Sequence, residues 1–406
     1  MKRLLLLSTV TLLLVILIGS SAFATLARIR ALGNTDNYFK DIYHIYTNPS
    51  YLGMYTNTVY GELGTYSGFF VGAQEVNLGT QFLGINYKIY KGLSLGLTLN
   101  REVSSDFSFL FGQFPSPINQ YDLMASYDFE RLHLGLSLYH AGNKYEYKTT
   151  NGVSNTETGS IGNTALTGGF VFNFSEKHEI EGVLRLNFDR GKHTFSGAPV
   201  GSLETDGGNG IQFGARGFFQ MTDDFQVIPI VAFASETIKL KGSGNLAGFT
   251  STGDAKENFF MAALGGNLKL EKGMVAGGLN LTRQRSTDET DTTFVTEEFT
   301  TWFIPGFNLG VEYELTKWLT ARLGMEKEFV RAEDKYHFEN SVFHDNKFRM
   351  SGPFNSDDFI GLGVGFKFSK FQVDATVGEN SFFEGTYLLS GMQRNLFGTL
   401  SAVFTF

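Results

Sequence analysis

Hydrophobic and polar residues alternate along this chain with a period of two. In residues 91–102, KGLSLGLTLNRE, Leu93, Leu95, Leu97 and Leu99 alternate with Ser94, Gly96, Thr98 and Asn100. The same beat recurs in RLHLGLSLYH (131–140), GVLRLNFDRG (182–191) and WLTARLGMEKE (318–328). Successive side chains of a strand point to opposite faces, so this period predicts strands with one apolar and one polar face. In a soluble sandwich the apolar face is the core; in a membrane barrel it faces lipid. The length of the alternating runs favours the barrel, since an average globular strand has only about 5–6 residues.

The connections favour it too. Seven are short and charged: Lys91-Gly92, Glu130-Arg131, 175–178, 222–224, 271–273, Thr316-Lys317 and Ser369-Lys370. Between these hairpins lie longer segments, often rich in Gly, Ser, Thr and Asn, near 104–119, 149–160, 196–208, 243–256, 286–299, 335–357 and 380–393. A shorter link falls near 67–75. Short turns on one side and long loops on the other mark an outer-membrane β-barrel. Aromatics beside the short turns, among them Tyr87, Tyr127, Phe129, Trp318 and Phe368, sit where an interfacial girdle belongs. Seven hairpins, a first strand near Tyr55–Tyr66 and a last near Asn395–Phe406 predict sixteen strands, or two fewer if one hairpin belongs to a loop. The expected fold is all-β, a transmembrane antiparallel β-barrel of about 14–16 strands.

Lipid offers no hydrogen-bond partner, so the first strand must pair with the last. That explains why the chain stops on GTLSAVFTF (398–406) instead of a polar tail. Its even-numbered positions are expected to face lipid. The run resembles the C-terminal β-signal of bacterial outer-membrane proteins, with Leu400, Phe404 and Phe406 as its apolar positions. The resemblance implies the barrel-assembly machinery as a partner.

Composition agrees. The chain has 41 Phe, 17 Tyr and 48 Gly, a bias toward strands. Residues 1–24 read as a signal peptide: basic Lys2-Arg3, an apolar run from Leu4 to Gly19, and a small-residue site ending at Ala24. With no cysteine, export leads neither to a disulfide scaffold nor to a lipoprotein. The formal charge of −8 argues against nucleic acid. The expected location is the outer membrane of a Gram-negative bacterium, with lipid and lipopolysaccharide as surroundings.

Residues 25–54 do not alternate. Tyr38, Ile42, Ile45 and Tyr46 recur at spacings of three and four, after possible caps at Asn34, Thr35 and Asp36, and Asn48-Pro49 follows. This predicts a short amphipathic helix ended by Asn48-Pro49. The segment is either a plug in the lumen or a disordered leader, and its aromatics favour the plug. The domain reading is a signal peptide (1–24), a hatch or plug (25–54) and a barrel (55–406).

RALGNTDNYFKDIYHIYTNPSYLG (30–53) resembles the N-terminal region of FadL-type transporters of long-chain fatty acids and other hydrophobic compounds, and equally that of PorV-type barrels. Asn48-Pro49 matches the Asn-Pro-Ala before their first strand, with Ser50 in place of Ala, and Arg30-Ala31-Leu32-Gly33 matches their Gly/Ala-rich stretch loosely. The resemblance implies a 14-stranded barrel with a hatch in the lumen, in conflict with the count of sixteen. It also implies passive uptake of a hydrophobic small molecule. The alternatives are a non-transporting barrel serving protein secretion or docking, and a general diffusion porin.

Three long loops are apolar. Phe107, Phe109, Leu110, Phe111 and Phe114 lie in the first, Phe343 and Phe348 in the sixth, and Phe382 and Phe383 in the seventh. Exposed together they form a candidate capture surface; packed on one another they are only loop cores. Arg185, Arg283, Arg285 and Arg322 are candidate lumen cations, accompanied by Asp189, Glu312, Glu314 and Glu326. Mixed signs fit salt-bridged wiring at least as well as an ion filter. Gly92–Gly96 matches G-x-S-x-G, but Ser94 lies in an alternating strand and not on the strand-to-helix turn a nucleophile elbow needs. No histidine has zinc-like spacing to a second ligand cluster. Neither catalysis, a metal nor a cofactor is expected.

Overall fold

The computed structural model describes residues 25–71, 74–101, 119–149, 155–196, 201–244, 253–290, 295–338, 346–352, 359–377 and 397–406. The expected signal peptide (1–24) and Phe107, Phe109, Leu110, Phe111, Phe114, Phe343, Phe382 and Phe383 lie outside them, as does the side chain of Phe348.

The wall consists of β1 (Thr58–Val71), β2 (Gln74–Tyr90), β3 (Leu93–Leu99), β4 (Asn119–Asp128), β5 (Leu132–Thr149), β6 (Asn155–Ser175), β7 (His178–Ser196), β8 (Gly201–Gln220) and β9 (Phe225–Gly244). It continues through β10 (Gly253–Leu270), β11 (Gly273–Thr290), β12 (Val295–Thr316), β13 (Leu319–Phe338), β14 (Asn346–Gly352), β15 (Phe359–Phe368), β16 (Phe371–Val377) and β17 (Phe397–Thr405). All pair antiparallel in one sheet. β1 pairs with β17 from Thr58↔Thr405 to Gly64↔Thr399, which closes the cylinder. β14 lies on the upper part of β13 (Val330–Tyr336) and β15 on its lower part (Leu319–Glu326). These two segments share one wall position, so the seventeen segments make sixteen positions. The fourteen implied by the resemblance is exceeded.

All seven expected short turns are present. The expected loops at 149–160, 196–208 and 286–299 are mostly strand, and the described ends of 243–256 are strand as well: β5 runs to Thr149, and β6 resumes at Asn155. β12 reaches 22 residues, whereas crossing hydrocarbon takes about 9–11. Above the membrane both faces of a strand meet water, so alternation fades while the hydrogen-bond ladder continues. Gly/Ser/Thr/Asn-rich sequence there imitates a loop.

Polarity runs opposite to that of a soluble fold. On β3, Ser94 and Thr98 are fully buried, while Leu95 and Leu99 are exposed by 42% and 49%. Asn86, Asp374 and Ser401 are buried inward; Leu83, Leu136 and Leu279 are exposed outward. On β17, Thr399, Ser401 and Val403 face in and Leu400 is exposed, as is Phe406 just past its end. Exposed leucines in contiguous bands require hydrocarbon. Aromatics gather at the short-turn end, where Tyr127 and Phe129 lie 4.7 Å apart and Phe406 stacks on Tyr87 at 6.2 Å.

Residues 25–57 lie inside. Helix α1 (Leu26–Ala31) touches β13, β15, β16 and β17. A 3₁₀ turn at Asp36–Tyr38 touches β10 and β11, and another at Pro49–Gly53 touches β3, β4, β5 and β6. Only a segment in the lumen reaches strands on so many sides. The expected helix over Tyr38–Tyr46 is instead two 3₁₀ turns, Asp36–Tyr38 and Ile42–Tyr46. Their side chains bond to a surrounding wall, so one amphipathic stripe has no single surface to face. Asn48 does not end a helix. Its side chain accepts from the Ser50 N–H and opens the last turn, with Pro49 at its first position.

A wet lumen would make Thr98→Arg mild. The structure corrects this: Thr98 is buried, with the Tyr46 hydroxyl at 3.2 Å and the Tyr60 hydroxyl at 3.0 Å. Leu97→Arg is expected to cost the barrel ~2–4 kcal/mol in equilibrium unfolding from lipid vesicles. Thr98→Arg should leave the wall folded but expose the inner segment to protease at Arg28, Arg30 and Lys40. Equal unfolding costs for the two variants would contradict the assignment of faces.

Candidate functional site

The site is the contact between the inner segment and the wall. Wall glycines make much of it possible. A Cβ at Gly324 would overlap the Leu32–Gly33 backbone, one at Gly135 the Pro49–Ser50 backbone, and one at Gly169 the Asn48 side chain. Tyr38 lies across Gly265 and Gly278 in the same way. The inner segment therefore rests on bare strand backbone. Gly33, at φ +66°, supplies the left-handed turn after α1.

Apolar contacts form two clusters. Ile42, Ile45 and Tyr46 pack with Tyr51, Leu52, Tyr60, Met124, Val171 and Val403. Tyr38 packs with Ile29, Leu32, Phe39, Phe218, Ile228 and Ala276. Between them run three polar networks. In the first, Glu312 accepts from Arg28 Nε at 2.6 Å and from Arg322 Nε at 2.6 Å. Arg322 also lies 2.7 Å from Asp374, which accepts from the Thr25 hydroxyl at 3.1 Å. In the second, Arg216 pairs with Glu181 and donates to the carbonyls of Asp36 and Asn37, both at 3.1 Å. Tyr51 donates to the same Glu181. In the third, Arg101 holds Asp122 through two bonds of 2.8 Å and lies 4.1 Å over the Tyr46 ring.

Burial and the Arg216 guanidinium push the His44 imidazole well below its usual pKa. The neutral ring accepts from Arg216 at Nε2 (3.3 Å) and sets its Nδ1 3.2 Å from the Asp41 carbonyl. Burial pushes the Asp41 carboxyl up to about 7, against the lowering effect of Arg28.

Tyr38, Ile42, Ile45, Tyr46, Asn48 and Pro49 are all buried against the inner wall, and Asn48 donates to the Phe170 carbonyl at 3.2 Å. Leu400 and Phe406 are exposed on the outer face, with Phe404 on the same side of β17. Arg322 joins the first network, and Arg185 faces the lumen, donating to Asn187 at 2.8 Å. Arg283 and Arg285 do not face the lumen. On β11, Gly278 meets Tyr38 inside, and the β10–β11 ladder is unbroken, so odd-numbered residues face out. These arginines share the parity of exposed Leu279.

Sequence reading singled out neither Arg28, Arg101, Arg216, Glu181 nor Asp374. Arg216, Glu181 and Asp374 lie at inward strand positions, Arg28 in the inner segment and Arg101 just past β3, but the partners that join segment to wall are far along the chain: Thr25 and Asp374 are 349 residues apart. A further cluster lies inside the mouth, where Leu203 of β8 and Ile238 of β9 pack with Ile161 and Leu240.

These features define a class: a transmembrane β-barrel whose lumen is filled by its own N-terminal segment. The chain is similar to the Pseudomonas putida toluene transporter TodX, with 10% identity over 95% of this chain and 97% of that one, at a TM-score of 0.39. It is similar to a Pseudomonas aeruginosa FadL homologue, with 13% identity over 96% of this chain and 100% of that one, at a TM-score of 0.44. It is also similar to the ferric citrate transporter FecA, with 12% identity over 79% of this chain and 58% of that one, at a TM-score of 0.42. No family model and no curated protein matches the sequence.

Gly324→Val should unseat the inner segment while the wall, untouched on its lipid face, still forms. The check is protease cleavage in the segment alongside normal heat-modifiable migration. Gly162→Ala, whose Cβ meets nothing within 4 Å, is the control. Glu312→Ala removes the acceptor shared by Arg28 and Arg322 but leaves Asp41 beside the first and Asp374 beside the second, and should weaken docking, read as the protection of the segment from protease, by about 1.5–3 kcal/mol.

Proposed function

We propose that this chain is an outer-membrane channel for passive uptake of hydrophobic small molecules in a Gram-negative bacterium, with residues 25–54 as its hatch. The observation that carries this reading is an apolar mouth above a lumen occupied by the inner segment. Leu203, Ile238, Ile161 and Leu240 face inward on the upper parts of β6, β8 and β9, where water alone would favour polar residues. Below them the gap between the inner segment and the β17–β1–β2 seam is about 20 Å³, room for about one water molecule. It is lined by Tyr43, Tyr46, Tyr60, Phe82 and Val403. In this reading a hydrophobic cargo meets apolar walls there and passes when the segment shifts. The segment is held by separable ion pairs and glycine contacts and is covalently continuous with the wall only through residues 55–57.

A lumen occupied by an inner segment speaks against a general porin. The neighbours named for toluene and as a FadL homologue agree with hydrophobic cargo. For acids, Arg185 is the candidate head-group partner: it lies 5.8 Å from the Tyr139 ring and faces the lumen.

The native chain has no cysteine, which permits a clean lock. Ala27→Cys with Ser401→Cys joins hatch to wall at a point where the Ala27 N–H donates to Ser401 at 3.3 Å. Oxidation should bring uptake of toluene and oleate into proteoliposomes to background, and reductant should restore it. Uptake that is equal in the locked form would defeat the hatch reading. Absence of hydrophobic uptake in the reduced form, with secretion defects on deletion, would favour the secretion alternative. Arg185→Ala should slow oleate and spare toluene.

A further inference from the structure

The outer wall of β11, β12 and β13 changes character part-way up. Low on these strands, Leu279, Leu309 and Leu323 are exposed. Higher, the register sets Arg283, Trp302 and Arg331 in one row, then Arg285, Thr300 and Glu333, then Thr287, Glu298 and Lys335. An extra residue in β12 between Phe303 and Gly306 reverses its parity. Trp302, Thr300 and Glu298 therefore share the outer face with Arg283 and Arg285.

Their height is informative. Arg283 is ten residues beyond Gly273, the first residue of β11 after a short turn. At about 3.4 Å per residue and a tilt near 40°, that is a rise of about 26 Å. The apolar band of such barrels is about 25 Å tall. The row of Arg283, Trp302 and Arg331 thus lies where acyl chains give way to headgroups.

A pocket of about 420 Å³ opens there. Glu298 accepts from Arg285 at 2.7 Å and from Lys335 at 3.2 Å, and Lys335 lies 3.2 Å from Glu333. Arg283 lies 5.3 Å over the Trp302 ring, and its buried Nε has no hydrogen-bond partner among the described residues. Neither Arg283 nor Arg331 has an ion-pair partner among the described residues. Two guanidinium groups flanking an aromatic face are suited to a phosphate beside a sugar ring.

We propose that this pocket binds the phosphorylated headgroup of an outer-leaflet glycolipid. The phosphate bridges Arg283 and Arg331, and the sugar rests on Trp302. The acyl chains run down over Ile304, Phe329 and Leu279, all exposed on the same wall. The apolar surface directly below the cations favours a lipid over a free anion.

The chain has two tryptophans, so Trp318→Phe leaves Trp302 as the sole indole reporter. The full barrel, delipidated in detergent, is titrated with bisphosphorylated lipid A, with dephosphorylated lipid A and with inorganic phosphate. Bisphosphorylated lipid should give a saturable change in Trp302 emission, and the dephosphorylated lipid should not. Arg283→Gln with Arg331→Gln should weaken the apparent affinity at least ~10-fold. Heat-modifiable migration confirms the fold, and native mass spectrometry of Arg331→Gln alone gives the same comparison if the double variant does not assemble. Equal affinity in the variants or an equal response to the dephosphorylated lipid would overturn the site. Saturation by inorganic phosphate at the same concentration would make it a free-anion site, which also overturns the lipid assignment.

Discussion

Hydrocarbon cannot hydrogen-bond to a peptide group, and an unpaired N–H or C=O there costs several kcal/mol. Every strand in the membrane must have two neighbours. The pairing of β1 with β17 meets that condition for both ends of the sheet at once. Closure then fixes the remaining distribution of chemistry. Side chains on one parity of each strand meet lipid and become Leu, Ile and Phe. Those on the other parity meet one another or the inner segment and become Ser, Thr, Asn, Asp and Arg.

The inner segment answers the wall in kind. Its buried surface combines aromatic clusters with charged groups that are matched across the lumen, as Arg28 is to Glu312 and the Asp36 and Asn37 carbonyls are to Arg216. Such pairs contribute little net stability over apolar packing, but breaking one partner is expensive. They specify one seated position more than they strengthen it. Glycine does the rest by bringing backbone to backbone.

Strand class, the short turns and the lipid-facing parity were legible because hydrocarbon enforces them residue by residue, as at Leu93–Leu99. The upper strands were not, since nothing apolar marks a face that water touches on both sides. Arg283 and Arg285 were legible but overruled: their parity matches Leu279 and Leu281, and only the assumption that charge belongs inside placed them in the lumen. That assumption holds for hydrocarbon and fails at the headgroups. The wall partners of the inner segment were beyond reach. Gly324 and Gly135 look like any of the 48 glycines until the segment is seen lying on them.

The contacts of Phe406 and of residues 25–30 have a bearing on how the molecule is made. The Phe406 N–H donates to the Asn57 carbonyl at 3.0 Å, at the junction between the inner segment and β1, and its ring stacks on Tyr87. Thr25, Ala27 and Arg30 bond to Asp374, Ser401 and Thr399 on β16 and β17. Residues 25–30 are thus anchored on strands that follow them by 349 to 374 residues. Biogenesis has a built-in order: until β16 and β17 have been made, residues 25–30 lack these wall partners, and closure of the cylinder waits on the same β17.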